Sequence, residues 1–310
     1  RNMRRIIQMY DIIIIGGGFA GLTAAIYARR AGKSVLVIEN NSYGGQISYA
    51  PTVENYPGIA SESGIDLSDA VLNQALALGA ETLPETATKI DGEKIKTVFT
   101  NGGEYTCKAL IISTGLTHRK TGLENEERFI GKGVSYCAVC DGGFFKGRDV
   151  AVLGGGNTAV SDAAFLSDLC RKVTVIHRRG EFRADKIAVD ALKAKNNISL
   201  MLNSSVTSLN GTDRLESITV ETGGEKRNLK VSGLFIAIGN TPQSDIFKDT
   251  VKTDEKGYII AGEDCVTSSP GIFAAGDCRT KPLCQLVTAA ADGAVAAVAA
   301  CTYIDSMSFL

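Results

Sequence analysis

The chain contains the same glycine-rich segment twice, and this repeat constrains the fold more than any other feature. The first copy occupies residues 11–21, and the second begins at Asp149, 138 positions later. In each copy a short apolar stretch runs into glycines and then into an alanine-rich stretch, which predicts a buried parallel strand, a tight turn and a helix. A second apolar stretch follows at matching positions, 35–38 and 173–176. The repeat therefore predicts two α/β units, each built on a parallel sheet.

The glycines of the first copy have a spacing that carries chemistry. Gly16, Gly18 and Gly21 follow the pattern Gly-x-Gly-x-x-Gly between a strand and a helix. In that setting the first glycine makes the turn, the second lets the backbone approach a pyrophosphate, and the third lets helix pack on strand. Glu39, at the end of the second strand, stands where an acid meets a ribose hydroxyl. The pattern predicts a dinucleotide-binding turn rather than a glycine turn without a ligand.

The second copy differs at the end of its second strand. Gly154 and Gly156 keep the spacing, and Ala159 replaces the third glycine, a recognised variant. Where the first copy has an acid, the second has His177, Arg178, Arg179 and, a little further on, Arg183. Cations at this position accommodate a 2′-phosphate, and arginine can bind it in bidentate geometry. The first copy therefore predicts FAD and the second NADPH; a solvated basic face is the alternative explanation for the arginines.

A cysteine pair lies shortly before the second copy. Cys137 and Cys140 are separated by two residues, and Asp141 follows directly. Such a pair can lower the pKa of one thiol and exchange with disulfides, and the aspartate is placed to move a proton. The alternatives are half of a zinc site or a structural disulfide. A zinc site needs two more ligands at motif spacing, which His118 and His177 do not supply, so we expect no metal.

Net charge, apolar runs and the remaining cysteines make several classes of protein less compatible with this sequence. A net charge of −1 gives no reason to expect nucleic acid or an anionic membrane as a partner. We expect no apolar run long enough to span a bilayer, and no signal peptide in the basic opening, residues 1–10. The six cysteines outside the pair are expected to be reduced and mostly packed: Cys107, Cys170, Cys265, Cys278, Cys284 and Cys301. Together these features predict a cytoplasmic protein.

The chain resembles the bacterial low-molecular-weight, NADPH-dependent thioredoxin reductases over residues 9–304. The residues that carry the resemblance are 16–21, 44–46, 54–58, 133–137, 140–142, 177–179, 182–184 and 274–277. The larger glutathione-reductase relatives carry their cysteines soon after the first glycine motif, whereas here the pair lies mid-chain. The most notable departure is Cys284, because the family generally has arginine just before the glutamine. That loss of charge puts local flavin contacts in doubt.

The resemblance implies two nested Rossmann-like dinucleotide-binding domains of the three-layer ββα type. The FAD domain comprises residues 1–117 and 246–310, and the inserted NADPH domain, 118–245, carries the cysteine pair. Electrons pass from NADPH through FAD and the pair to the disulfide of thioredoxin or a thioredoxin-like protein. By resemblance Cys140 is the sulfur next to the flavin, Cys137 attacks thioredoxin, and the protein is a homodimer. The domains are expected to rotate about crossings near residues 117 and 245.

The expected cofactor contacts follow from the turns, the neighbouring loops and the resemblance. The FAD contacts are Gly16, Gly18, Phe19, Ala20, Gly21, Glu39, Gly45, Gln46, Asn55, Thr114, Gly115, Gly276, Asp277, Gln285 and Leu286. The NADPH contacts are Gly154, Gly156, Asn157, Thr158, His177, Arg178, Arg179 and Arg183.

Three rival functions fit parts of the sequence. A ferredoxin-dependent flavin thioredoxin reductase or a dithiol oxidase of the same fold would not need the arginine group. A non-enzymatic flavin- or nucleotide-sensing module would not need a cysteine pair followed by an acid.

Overall fold

The computed structural model describes residues 9–50 and 52–307, and it divides into two compact units. The first unit contains the residues up to Thr117 together with those from Thr241 onward, and the second contains His118–Asn240. The sequence put the return crossing near residue 245. It comes earlier in the structure because Gln243 already bonds within the first unit, where its backbone N–H donates to the Gly115 carbonyl at 3.1 Å. Residues 1–8 lie outside the described residues, so the structure does not test the expectation that this segment is no signal peptide.

Strands and helices alternate at the start of each unit, and runs of consecutive strands follow them. In chain order the strands are β1 (Met9–Ile15), β2 (Val35–Ile38), β3 (Glu81–Leu83), β4 (Ala87–Asp91), β5 (Lys96–Thr100), β6 (Glu104–Ile112), β7 (Leu116–His118), β8 (Val134–Ser135), β9 (Asp149–Gly154), β10 (Lys172–Ile176), β11 (Ile198–Met201), β12 (Ser204–Asn210), β13 (Ser217–Thr222), β14 (Glu225–Lys230), β15 (Gly233–Ala237), β16 (Asn240–Pro242) and β17 (Ile272–Ala274). The helices are α1 (Phe19–Arg30), α2 (Gly64–Ala77), α3 (Glu126–Phe129), α4 (Ala138–Asp141), α5 (Asn157–Ser167), α6 (Lys186–Lys193) and α7 (Leu286–Met307).

The first unit has a parallel sheet between a helical layer and a small antiparallel layer. The order β3-β2-β1-β6 is parallel, and the end of β6 also pairs with β17. The beginning of β6 instead pairs with β5, which leads to β4 in an antiparallel arrangement. Because both faces of the parallel strands are covered, β2 is buried at every position. Alternate residues of β1 face α1 and α7 on one side and the antiparallel layer on the other.

The second unit repeats this plan. Its five-stranded sheet has the order β11-β10-β9-β15-β8, and every pair in it is parallel. Helices α5 and α6 pack on one face, and the antiparallel sheet β12-β13-β14 packs on the other. The predicted fold class, two dinucleotide-binding units of the ββα type, is confirmed.

Helix α7 corrects one expectation from the sequence. It has 22 residues and a mean hydropathy of 1.5, so by length and composition it could cross a membrane. In the structure its alanine-rich face packs against α1, and Asp292 forms a buried ion pair with Arg279 at 2.8 Å. One face of α7 therefore belongs to the core of the first unit, although only 39% of its apolar window is buried.

The cysteines outside the pair behave as expected. Cys284 is half-buried and the other five are buried, and none of the six is disulfide-bonded in the described part of the chain. They are packed thiols rather than a structural disulfide framework.

Candidate active site

The cysteine pair lies on a short turn at the end of an edge strand. The chain leaves β8, and Cys137 becomes the N-cap of the single-turn helix α4. Cys137 and Cys140 form a disulfide with a Cα–Cα distance of 5.3 Å. The backbone N–H of Cys140 donates a hydrogen bond to Cys137 Sγ at 3.1 Å. After reduction, this bond would stabilise a thiolate on Cys137.

Asp141 is attached to the same turn by two bonds. Its backbone N–H donates to the Cys137 carbonyl at 3.1 Å. Its carboxylate accepts a hydrogen bond from the Ser135 hydroxyl at 2.6 Å. Burial raises the pKa of Asp141, and the Ser135 hydroxyl opposes this shift. A carboxyl group with a raised pKa is suited to giving and taking a proton beside the sulfurs.

The first glycine turn admits no side chains at two of its three positions. Gly16 has a φ of +107°, and a Cβ there would lie 2.3 Å from the Ser113 carbonyl oxygen. A Cβ on Gly21 would lie 1.9 Å from the Gly16 oxygen. At Gly18, in contrast, the nearest atom to a Cβ would be 3.9 Å away. The turn is therefore closed at Gly16, against the residues that follow β6, and at Gly21, against Gly16 itself. It is open at Gly18, where a pyrophosphate could approach the backbone.

Three predicted FAD contacts come together around this turn. Glu39 Oε2 accepts a hydrogen bond from the Gly17 N–H at 2.7 Å. The Gly44 N–H donates to the Gly17 carbonyl at 2.8 Å, which brings Gly45 alongside Gly18. The acid, the turn and the Gly44–Gly45 loop therefore form one continuous surface.

The remaining predicted FAD contacts also lie in the first unit. Gln46 donates to the Leu116 carbonyl, Thr114 Oγ1 donates to the Gln243 carbonyl at 2.5 Å, and Asn55 Nδ2 donates to Gln285 Oε1 at 3.3 Å. Phe19 and Ala20 are buried in the first turn of α1, and Leu286 begins α7. Gly115 and Gly276 both have positive φ angles, +66° and +78°.

Asp277 has a buried side-chain oxygen, Oδ1, without a hydrogen-bond partner among the described residues. Burial raises the pKa of Asp277, and the positive charge of Lys281 opposes this shift. Buried acceptors are normally paired, so this oxygen is suited to a hydroxyl donor from a ligand.

The second glycine turn has the same form. Gly154 has a φ of +159°, and a Cβ there would lie 2.3 Å from the Ala237 carbonyl oxygen. A Cβ on Gly156 would meet no atom within 4 Å. Asn157 and Thr158, both exposed, begin α5 directly after it. The Arg183 N–H donates to the Gly155 carbonyl at 2.7 Å, so the basic segment is fixed to the turn.

The four basic residues of this turn are in two different environments. Arg178, Arg179 and Arg183 are exposed and form no ion pair with a carboxylate in the described part of the chain. His177 is 5% exposed, lies against Gly155 and stacks on Phe182. Burial, followed by the nearby arginines, lowers the pKa of His177, so it is neutral at neutral pH. The arginines therefore supply the positive charge, and the histidine ring supports the turn from beneath.

Comparison with known proteins identifies the family. A family model described as pyridine nucleotide-disulphide oxidoreductase matches residues 10–294. The chain belongs to this family. It is 42% identical over 304 residues to a thioredoxin reductase of Listeria innocua, covering 97% of this chain and 95% of that protein. It is 40% identical over 304 residues to a thioredoxin reductase of Bacillus subtilis, covering 97% and 96%.

Solved structures agree with the sequence relatives. The crystal structure of thioredoxin reductase from Streptococcus pyogenes is 39% identical, with a TM-score of 0.93, and the match covers 97% of this chain and 99% of that one. Pyridine nucleotide-disulphide oxidoreductases of this kind use FAD and NADPH. The residues present fit both groups: the unpaired Asp277 oxygen and the opening at Gly18 suit FAD, and the three free arginines beside Gly156 suit a 2′-phosphate.

Two features that matter to this site of the pyridine nucleotide-disulphide oxidoreductase were not found from sequence. The first is Ser135, which bonds Asp141; it lay within a quoted motif but carried no assigned role. The second is a buried network in which Asp292 accepts bonds from Arg279, from Lys281 and from the Gly276 N–H. An acid within an apolar helix was the available signal for this network, because buried carboxylates require partners.

The departure at Cys284 leaves a neutral group near the predicted flavin contacts. Burial, and then the charge of Asp277, raise the pKa of Cys284 to about 12. The thiol therefore stays protonated at neutral pH, and the positive charge of the usual arginine is not replaced.

Proposed function

We propose that this protein is a thioredoxin-disulfide reductase that uses NADPH and FAD. The observation that carries the proposal is the Cys137–Cys140 disulfide with Asp141 on the same turn, in the unit that also holds the arginine-bearing glycine turn. The relatives named thioredoxin reductase, at about 40% identity over nearly the whole chain, support it. The substrate is the disulfide of thioredoxin or of a thioredoxin-like protein.

The two cofactors are assigned to different units. FAD is held in the first unit by the Gly16–Gly21 turn, Glu39, and the Asp277 carboxylate. NADPH is held in the second unit by the Gly154–Gly156 turn and the exposed arginines. When bound, NADPH supplies the electron pair and FAD relays it to the disulfide.

The two cysteines have different roles in the disulfide exchange. The disulfide takes up two electrons and two protons and becomes a dithiol. Cys137, as the thiolate stabilised by the Cys140 N–H, attacks one sulfur of the substrate disulfide, and the other substrate sulfur leaves and takes a proton. Cys140 then attacks Cys137 Sγ, the enzyme disulfide re-forms, and the second substrate thiol is released. Asp141 gives and takes the proton that moves at the pair.

The cysteine pair must meet electron donor and protein substrate in turn, and we propose a rotation of the units about the two crossings at 117–118 and 240–241. A cross-link that holds the units in one orientation should stop turnover while leaving one half-reaction intact. Full turnover in the cross-linked protein would contradict the rotation.

We further propose a cytoplasmic homodimer. A pair that cycles through a dithiol, and six further unpaired cysteines, suit a reducing compartment. The outer face of α7 exposes Val287, Val295 and Val298, an apolar surface that a second copy could cover. Sedimentation should give a dimer for the wild type and a monomer for Val298→Asp. A wild-type monomer would contradict this assignment.

The function is tested by following thioredoxin reduction with NADPH as the electron source. Wild type should turn over, and Cys137→Ser and Cys140→Ser should each lose activity by a factor on the order of 10³ or more, because exchange needs both sulfurs. Cys301→Ser, at a buried unpaired cysteine, is the matched control and should stay active. Reduction from ferredoxin alone, or peroxide formation with a dithiol, would instead support one of the rival functions.

A further inference from the structure

Ser135 is the last residue of β8 and lies directly between the sheet and the redox turn. It is 5% exposed, and its strand pairs in parallel with β15, opposite Phe235. A buried hydroxyl group must be hydrogen-bonded, and the geometry shows that this one is bonded on both sides.

The Ser135 hydroxyl has contacts with both the backbone and the acid of the redox turn. Its oxygen accepts a hydrogen bond from the Cys137 N–H at 3.0 Å. The hydroxyl donates to Asp141 Oδ2, with 2.6 Å between the two oxygens. The Cys137 carbonyl oxygen, 3.3 Å from Ser135 Oγ, is a second acceptor. One hydroxyl therefore joins the acid to the residue that caps α4.

This arrangement suits both protonation states of the acid. When Asp141 is ionised, the Ser135 hydroxyl donates to the carboxylate. When Asp141 is protonated, the carboxyl O–H can donate to the Ser135 oxygen, and the Ser135 hydrogen can turn to the Cys137 carbonyl. Only hydrogens move, because all three heavy-atom distances are already within hydrogen-bonding range.

We propose that Ser135 is a positioning residue that holds the Asp141 carboxyl group against the redox turn while that group gains and loses its proton. The role of Ser135 in turnover rests on the proposed function. The contacts among Ser135, Cys137 and Asp141 do not, because all three residues lie in the second unit. Ser135 makes no bond to be broken in the reaction; it acts through Asp141.

The surroundings of Asp141 indicate how its pKa should change when the Ser135 hydroxyl is removed. Burial and the Ser135 hydroxyl are the two influences on its pKa, and they act in opposite directions. Among the described residues, no charged group adds to them, neither Asp162 on the neighbouring helix α5 nor Glu126, which bonds Tyr136 on the other side of the turn. Removing the hydroxyl should therefore move the titration of Asp141 to higher pH.

The test is the alkylation of the chemically reduced, purified full-length protein by iodoacetamide, followed at Cys137 by mass spectrometry across pH. Wild type should show an inflection from Asp141 in addition to that of the thiol, and Asp141→Asn should lack it. Ser135→Ala should shift this inflection upward by about one pH unit, the effect of losing one hydrogen bond to a charged group. Ser135→Thr, which keeps the hydroxyl, should leave it in place.

A double-mutant comparison separates positioning from general stability. In the Asp141→Asn background, Ser135→Ala should cause no further change in the profile. If Ser135→Ala lowers the rate equally at every pH, or adds its full effect to Asp141→Asn, the proposal is wrong. Ser135→Gly replaces Ser135→Ala if that variant does not fold, with the same outcomes. Because the assay uses neither NADPH nor thioredoxin, a shifted profile in a protein that fails to reduce thioredoxin would reject the proposed function alone.

Discussion

The two glycine turns of this molecule have the same backbone and opposite charge. Both have a closed first glycine and an open middle glycine, and both begin a helix directly afterwards. In the first unit the second strand ends at Glu39, which bonds the turn itself. In the second unit it ends at a buried neutral histidine followed by exposed arginines. The comparison supports the proposal that the fold supplies the turn in both units and that a few residues after the second strand determine which nucleotide binds.

The largest effect is expected from removing the charge that distinguishes the second turn. The double variant Arg178→Ala, Arg179→Ala should lower kcat/KM for NADPH by about 100-fold or more, since each charge-assisted bond to the 2′-phosphate is lost. The value for NADH should change little. Steady-state kinetics with both nucleotides checks this, and Arg227→Ala on β14 is a matched control for loss of an exposed arginine. Equal losses for the two nucleotides would contradict the assignment.

The next comparison concerns one ion pair in each unit, which is buried in the first unit and exposed in the second. Asp292→Asn removes the buried counter-charge of Arg279 and Lys281 and leaves Arg279 only the exposed Glu263, which should destabilise the first unit by about 3–5 kcal/mol. The corresponding test in the second unit is Asp149→Asn, where the partner Arg171 is exposed and little change is expected. Thermal unfolding followed by far-UV circular dichroism, which reports both units, compares the two. Similar losses of stability in the two variants would show that burial of an ion pair does not determine how much it stabilises its unit.

The third glycine position offers a smaller and more local test. The two copies differ there, with Gly21 in one and Ala159 in the other. Gly21→Ala should destabilise by about 1–3 kcal/mol or more and weaken FAD retention, because its Cβ would lie 1.9 Å from the Gly16 oxygen. The reverse change, Ala159→Gly, should cost about 1–2 kcal/mol through helix propensity and the loss of one buried methyl group. Bound flavin per chain and unfolding midpoints distinguish these outcomes.

The smallest effect is a pH dependence confined to the first unit. Burial alone would raise the pKa of Asp292, but bonds from Arg279, Lys281 and the Gly276 N–H lower it below its ordinary value. A lowered folded pKa means that this stabilisation is complete above the unfolded pKa near 4 and is lost as the pH falls toward the folded value. Wild type should therefore lose more stability between pH 5 and about 3 than Asp292→Asn does. Parallel pH curves would show that Asp292 is not the group responsible.

Local patterns were enough to predict the repeated part of the fold. Four apolar residues, a glycine turn and an alanine-rich helix determine β1–α1–β2 and its second copy, because period, turn chemistry and burial all agree there. Helix α7 continues to Met307, because Ile304 still packs inward although polar residues surround it. A few inward-facing contacts outweighed the polar composition.

The parts of the site that were missed depend on contacts between distant residues. Asp292 meets Arg279 only once α7 has packed beside the loop after β17, and no local pattern encodes that meeting. Ser135 bonds Asp141 because a single helical turn folds the chain back on the strand. His177 was expected beside the arginines, and its burial beneath Gly155 follows from sheet geometry rather than from its sequence neighbours.

The most direct test of the central claim is an anaerobic titration of the purified yellow protein with NADPH. If electrons pass through FAD to the Cys137–Cys140 disulfide, wild type should take up about two equivalents of NADPH per chain, and Cys140→Ser about one, because one electron pair resides on the flavin and one on the disulfide. Added oxidised thioredoxin should then reoxidise the wild type but not the variant. Flavin that NADPH does not reduce, or equal uptake by the two proteins, would contradict the account.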